Sequence, residues 1–432
     1  VFNRRRLARV LAFLLAVGAL VPAAAPPATA AVPSVARHDA DVTAYRGRLI
    51  VTWKGAAPGT LAMNGVRSMK ATAWPMRSVV QARVGEAAAV AARLRSDPRV
   101  LAVVPDARLA FTDWPADAPP DDPLYADQGD LPQIDVPDAW TVTTGDPSVV
   151  VAVIDSGVDL AHPDLDDVAV TDPRDVVWNN ADVTDAVGHG TWVAGTIVAE
   201  TNNGEGVAGI APGVTLMPVK IADDYGGISF ADALDAVDWA RDHGADIINM
   251  SFGGYLTSEQ VALGQPTFTA ARDAGVLMIA ASGNDGMPMR NYPASFRGVV
   301  SVGAVDSEDH LADFSTTGRA LDLVAPGVDT WSTIPDGGYE PGSGTSGSAP
   351  HVAGVAALVW SARPTLGVAE LEAVLRASAV DLGEPGWDLA FGDGRIDASA
   401  ALAEPVPDPL PDLEPAPALP ELVITFLAPT EA

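Results

Sequence analysis

VVVAVIDSG, residues 149–157, is the stretch on which the fold turns. Its six leading apolar residues, four of them valine, suit an extended chain buried on both faces, and the run is too short for a buried helix. It stops at Asp155, followed by Ser156 and Gly157, the composition of a tight exit from a strand end. Working outward, 247–250, 276–281 and 299–305 have the same short, bounded, apolar character, whereas 230–241 and 268–273 carry helical spacing. Such alternation predicts an α/β fold, a mostly parallel sheet with helices on both faces. Ligands are expected beyond the carboxyl ends of its strands.

Polar residues at strand ends and helix starts are therefore the candidates for chemistry. Asp155 delivers a carboxylate at a strand end, although Asp-Ser-Gly alone is also a common turn. His189 lies in GHGTWVAGTIVA (188–199), where Gly188 and Gly190 leave the imidazole approachable at the mouth of a buried helix; a structural histidine would fit there equally. Ser346 lies in GSGTSGSAPHVAGVAALV (342–359), at the start of an apolar helix. Pro350 is expected in the first turn, and the free N–H groups of that turn favour a developing anion. A plain helix cap is the competing reading. The glycines at 342, 344 and 347 also spell G-x-G-x-x-G, but the Pro/Gly-rich residues 335–341 do not read as the strand a dinucleotide fold requires. Nor does Gly344-Thr345-Ser346-Gly347-Ser348 complete the G-x-S-x-G of an esterase elbow.

Composition narrows the function further. The chain of 432 residues has 26 basic and 56 acidic side chains, a net charge of −30, which excludes generic nucleic-acid binding. It has no cysteine, so disulfides, thiolate metal sites and a cysteine nucleophile are excluded. The charge is uneven: 16 basic against 7 acidic residues in 1–120, but 10 against 49 in 121–432. Residues 1–30, with Arg4-Arg5-Arg6 and Arg9, an apolar run from Val10 to Val21 and small residues at 28–30, read as a cleavable export signal. The run is too short for a membrane anchor. Residues 31–120 read as a small basic α+β unit, with strands at 48–53 and 100–104 and a helix at 86–95, closed by an exposed Pro/Asp-rich link over 114–123. The body runs from 121 to 403, and 404–432 is a Pro-rich acidic tail.

Taken together, VIDSGVDLAHPDL around Asp155, GHGTWVAGTIVA around His189, ASGN ending at Asn284 and GTSGSAPHVAG around Ser346 resemble the subtilisin-like serine peptidases, the subtilases. The chain order Asp, His, Ser is theirs and differs from that of chymotrypsin-like and α/β-hydrolase enzymes. The resemblance implies a secreted serine endopeptidase acting on polypeptides through Asp155, His189 and Ser346. Asn284 and the Ser346 N–H would hold the oxyanion. No cofactor would enter catalysis. Ser251-Phe252-Gly253 and Ala281-Ser282-Gly283 would form the walls of the substrate groove, with Asn291 near the floor of the pocket for the residue before the cut. Broad specificity is the default, and large apolar side chains are the guess for that residue. The resemblance also implies a structural Ca²⁺ held by side chains of Asp122, Asp164 and Asn203 and carbonyls of Thr201, Glu205 and Val207. Residues 31–120 would be an inhibitory propeptide, an intramolecular partner of opposite charge. A monomer without a membrane anchor is expected. Two departures from the family pattern stand beside the site: Gly347-Ser348 replaces the usual Met-Ala, and Trp192 takes a position that is often His.

Overall fold

The computed structural model describes residues 48–58, 64, 66–71, 76–82, 87–105 and 119–407. The expected export signal, half of the link ahead of the body and nearly all of the acidic tail lie outside the described residues.

Among the described residues of the basic segment, the two strands and the helix stand where the sequence predicts them, with two further strands between. Strands β1 (Arg48–Trp53), β2 (Val66–Ala71), β3 (Arg77–Ala82) and β4 (Val100–Pro105) pair antiparallel in the order β2-β3-β1-β4, with helix α1 (Ala87–Arg95) between β3 and β4 in sequence. Val90, Ala91 and Leu94 of α1 bury against Leu49, Val51, Trp53 and Val80. The one polar atom of Trp53 in this core donates to Ser78 Oγ at 2.9 Å, so its burial leaves no orphaned donor. Arg67 of β2 reaches the body, donating to Gly244 O and pairing with Asp246 at 3.4 Å.

The body contains α2 (Asp130–Gln133), α3 (Val136–Trp140), β5 (Val150–Asp155), β6 (Arg174–Asp175), α4 (His189–Val198), β7 (Thr215–Lys220), α5 (Phe230–His243), β8 (Ile247–Met250), α6 (Ser258–Asp273), β9 (Leu277–Ala281), β10 (Val299–Val305), β11 (Leu323–Pro326), β12 (Thr330–Ile334), β13 (Gly338–Gly342), α7 (Thr345–Ala362), α8 (Val368–Ala377) and α9 (Ala398–Ala403). Seven strands pair in parallel, in the order β11-β10-β9-β8-β5-β7-β6. Both faces are covered. Val151 and Val153 of β5 pack with α4 and α7, while Ala152 and Ile154 pack with α5 and α6. That is why the strand reads as an unbroken apolar run rather than an alternating one. After β5 the chain builds β6 and β7 on one side of it, then returns to place β8 on the other. The carboxyl ends of β5 and β8 therefore flank a topological switch point.

Three local readings differ from the sequence expectation. Helix α6 starts at Ser258, ten residues before the predicted 268, because Gly264 and Pro266 mask its spacing. A capping box of Thr257 and Gln260 starts it, and Gly264 lets it close on aromatics, since a methyl there would lie 2.6 Å from Phe230 Cζ. Residues 338–342 are a strand after all, but β13 pairs antiparallel with β12 in a two-stranded ribbon and not in the parallel sheet. Pro350 sits in the second turn of α7, not the first. Its missing N–H would have bonded to the Ser346 carbonyl, and Ser251 Oγ takes that role instead, at 2.8 Å.

Candidate active site

Asp155, at the carboxyl end of β5, is 3% exposed and accepts His189 Nδ1–H on Oδ1 at 2.7 Å. The approach of α4 to β5 depends on Gly190: a methyl there would lie 2.1 Å from Gly157 O and 3.0 Å from Asp155 Cβ. Asp185 locks the turn before the helix. Its Oδ1 accepts Ser156 Oγ (2.8 Å) and the backbone N–H groups of Val187 (3.0 Å) and Gly188 (2.8 Å). Its Oδ2 accepts Thr191 N (2.9 Å) and Thr191 Oγ1 (2.7 Å). The Asp155 carboxylate raises the His189 pKa above the ordinary histidine value, against the opposing effect of burial, and Asp185 adds to the rise.

Ser346 is half-buried at the start of α7. Asn284, just beyond β9, has its carboxamide oriented by Thr345, whose N–H and Oγ1–H both donate to Asn284 Oδ1 at 2.9 Å. Two donors on one oxygen settle which end of the amide is which. The Nδ2 group is thus left facing Gly344, where a methyl would lie 3.3 Å from Asn284 Nδ2 and 3.7 Å from both Ser346 N and Ser346 Oγ. One small space is bordered by a hydroxyl and two N–H donors. Among the described residues, the hydrogen bond of His189 is to Asp155, and none joins Ser346 Oγ to the ring. Such contacts are often long before substrate binds.

The predicted walls lie alongside. Ser251, Phe252 and Gly253 follow β8, Ala281 ends β9 with Ser282 and Gly283 just after it, and Asn291 is buried between Gly253 and Gly283. Ser282 Oγ donates to Thr316 O at 2.9 Å.

The predicted calcium residues also converge in part. Asp122 accepts Asn202 N (3.0 Å) and Asn203 N (3.2 Å), and Asp164 accepts Asn203 Nδ2 (2.8 Å) and Val207 N (2.9 Å). Glu205 N donates to Asn203 Oδ1 at 2.8 Å, and Thr201 Oγ1 to Ala199 O at 3.3 Å. Burial pushes the Asp164 pKa up to about 7, with Asp122 and Glu200 adding repulsion, and burial raises that of Asp122. A buried pair of carboxylates short of positive charge, next to a carboxamide, fits a hard cation such as Ca²⁺. Among the described residues no group of three or more His, Cys, Asp or Glu side chains could hold a metal, so carbonyl oxygens would complete the shell.

The model of the subtilase family matches residues 146–394. The chain is 39% identical to a thermophilic serine proteinase of Bacillus sp. (strain AK1), over 73% of this chain and 78% of that protein. It is 38% identical to subtilisin DY of Bacillus licheniformis, over 59% and 90%. A solved protease of Pseudoalteromonas arctica PAMC 21717 superposes with a TM-score of 0.60 at 32% identity, covering 66% of this chain and 99% of that one. The chain belongs to the subtilase family. It is a serine endopeptidase of the subtilisin type.

Within this subtilase, sequence reasoning missed the supporting residues. Asp185 lies outside the quoted motifs and Thr345 is a silent member of GTSGSAPHVAG; their roles arise from bonds to Ser156 and Asn284, 29 and 61 residues away. The two departures from the family pattern turn out to be neighbours. A methyl on Gly347 would lie 2.7 Å from Trp192 Cη2, and the indole lies against the imidazole, with ring centroids 6.2 Å apart. His351 is wholly buried and joins Gly347 O (2.7 Å) to Asp130 Oδ2 (2.8 Å). Among the described residues no helix is long and apolar enough to cross a membrane.

Proposed function

We propose that this subtilase is made as an exported, self-processing precursor and cuts peptide bonds through Ser346, His189 and Asp155. The observation that carries the proposal is the space beside Gly344, bordered by Ser346 Oγ, Ser346 N and Asn284 Nδ2. A carbonyl carbon entering it meets a nucleophile as its oxygen meets two donors.

In the proposed reaction His189 removes the Ser346 proton as Oγ bonds to the carbonyl carbon. The oxygen becomes negative and is held by Asn284 Nδ2–H and Ser346 N–H. His189 then returns the proton to the leaving nitrogen, the C–N bond breaks, and an acyl-enzyme remains. Water repeats the sequence, releasing the acid and restoring Ser346. Asp155 fixes the ring with Nδ1 protonated and stabilises the imidazolium, which agrees with the raised His189 pKa. Substrate would run as an added strand between 251–253 and 281–283.

Residues 31–120 would be the propeptide; the contact of Arg67 with Gly244 and Asp246 and the opposite charges of the two parts support its docking on the body. A structural Ca²⁺ on Asp122, Asp164, Asn203 and carbonyls of Thr201, Glu205 and Val207 would neutralise the buried carboxylates. Export rests on the pattern of residues 1–30, and a monomer without an anchor remains the expectation.

The test is expression of the wild type and Ser346→Ala separately. Wild-type protein trims itself, cleaves casein and is labelled by a peptidyl phosphonate at Ser346; the variant stays full length and inert. A variant that trimmed itself normally, or a wild type that hydrolysed small esters but spared casein, would overturn the proposal.

A further inference from the structure

The turn that carries Ser346 is weaker than an ordinary helix turn. Pro350 removes the amide that would bond to the Ser346 carbonyl, and Gly347 brings no side chain to fix the peptide that follows the nucleophile. Two side chains restrain it instead. Ser251 Oγ donates to Ser346 O at 2.8 Å, and His351 Nδ1–H donates to Gly347 O at 2.7 Å. The second bond depends on a residue far away in sequence, since His351 Nε2 meets Asp130 Oδ2 at 2.8 Å. His351 is wholly buried and Asp130 is 9% exposed. Leu131 and Ile134 lie in the same core as Val352 and Val355, so α2 presents Asp130 to α7 from a fixed position.

Proton count fixes the state of this pair. A carbonyl oxygen only accepts, so Nδ1 must carry hydrogen to meet Gly347 O. The Asp130 carboxylate also only accepts, so a second proton must lie between Oδ2 and Nε2. The result is an imidazolium against a carboxylate, with no net charge between them. Tyr125 also faces Asp130; burial, and then the Asp130 charge, raise its pKa, so it stays neutral and adds no competing charge. Hydrogen bonds with an ionised donor are roughly twice as strong as neutral ones. That strength falls on the carbonyl one residue beyond Ser346.

We infer that Asp130 and His351 form a buried ion pair that positions the Ser346 turn for attack. The inference rests on the peptidase reading above. Both side chains are buried and act through Gly347 O, so they position the nucleophile and take no part in the bond changes. Loss of the pair lets the Gly347 peptide turn, and a nucleophile displaced by about 1 Å reacts up to ~10² more slowly. The expected substrate walls at 251–253 and 281–283 belong to other segments, so KM holds while kcat falls.

The test joins spectroscopy to kinetics. Ring-nitrogen NMR on Ser346→Ala protein carrying isotopically labelled histidine reads the pair directly, the His351 signals being assigned by their loss in His351→Gln and their shift in Asp130→Asn. Both His351 ring nitrogens carry hydrogen at neutral pH, where a free histidine is mostly uncharged. Wild type, Asp130→Asn and Asp130→Ala are then compared on one peptide anilide. In Asp130→Asn the amide can donate to Nε2, so the ring keeps its place with Nδ1 alone protonated, and kcat falls by less than about 10-fold. Asp130→Ala leaves Nε2 without that partner, and kcat falls by about 10–100-fold at unchanged KM. Phosphonate labelling to completion counts intact Ser346 sites, so a misfolded variant is not mistaken for a misplaced nucleophile. A His351 ring with one bare nitrogen beside unaltered Asp130 overturns the inference. So do variants that melt earlier yet keep the wild-type kcat per labelled site, the behaviour of a purely structural pair. A wild type that labels poorly and cleaves nothing instead refutes the peptidase reading, and the inference falls with it.

Discussion

Replacing Gly347 with alanine tests whether the residue beside the nucleophile and Trp192 form one packed unit. The added methyl would stand 2.7 Å from Trp192 Cη2 and 3.1 Å from Thr330 Oγ1, whereas carbon atoms pack best at roughly 3.5–4.0 Å. The indole must therefore retreat by about 1 Å, the difference between that optimum and the present gap. It has little freedom to do so. Trp192 is 7% exposed, its carbonyl accepts Ser332 Oγ at 2.7 Å, and its ring lies where a methyl on Gly342 would come within 2.6 Å of Cζ2. Overpacking of this kind costs about 1–3 kcal/mol. For a protein of this size that lowers the melting temperature by roughly 2–5 °C, best measured in a Ser346→Ala background where self-digestion is absent. Because the indole abuts His189, the same shove reaches the reacting groups. A misplacement of about 1 Å there lowers kcat/KM by up to ~10². Trp192→Phe, which removes the Cη2 edge, should relieve Gly347→Ala in a double-mutant cycle. An unchanged melting point and rate for Gly347→Ala, or effects of the two changes that simply add, would refute the reasoning.

Two further outcomes follow from charge. The neutral His189 ring is the proposed base, and Asp155 and Asp185 raise its pKa, so the acidic limb of kcat/KM in the wild type falls above the ordinary histidine value of about 6.5. Removing the Asp155 charge with Asp155→Asn lowers that pKa and moves the limb to lower pH, while the lost orientation drops kcat by about 10⁴; a limb that stays in place would count against the assignment. Stripping divalent cations with EDTA lowers the melting temperature, and calcium at about 100 times its Kd restores roughly 2.7 kcal/mol. Asp164→Asn should lose most of that response, and equal melting curves with and without calcium would sink the site.

How legible the protein is from sequence depends on how local the cause is. β5 was readable because strands covered on both faces must be apolar throughout, and β8 and β10 were readable for the same reason. Helix α5 showed its period, whereas the first ten residues of α6 hid behind Gly264 and Pro266; Gly264 lets the helix close on Phe230 and Phe296. Asp155, His189 and Ser346 stood out because each has short, unusual flanks. Asp185, Thr345 and the partner of the Ser346 carbonyl did not, since hydrogen bonds between residues dozens of positions apart leave no local pattern.

The sequence by itself determined the α/β architecture, the family, and the three side chains of the proposed chemistry, because strand burial, helix starts and a motif order are written along the chain. Only the tertiary structure decided that Trp192 and Gly347 share one space and that the Asn291 carboxamide stands between Gly253 and Gly283. Volume is a property of side chains brought together from distant segments, and the order of residues does not report how much room remains among them.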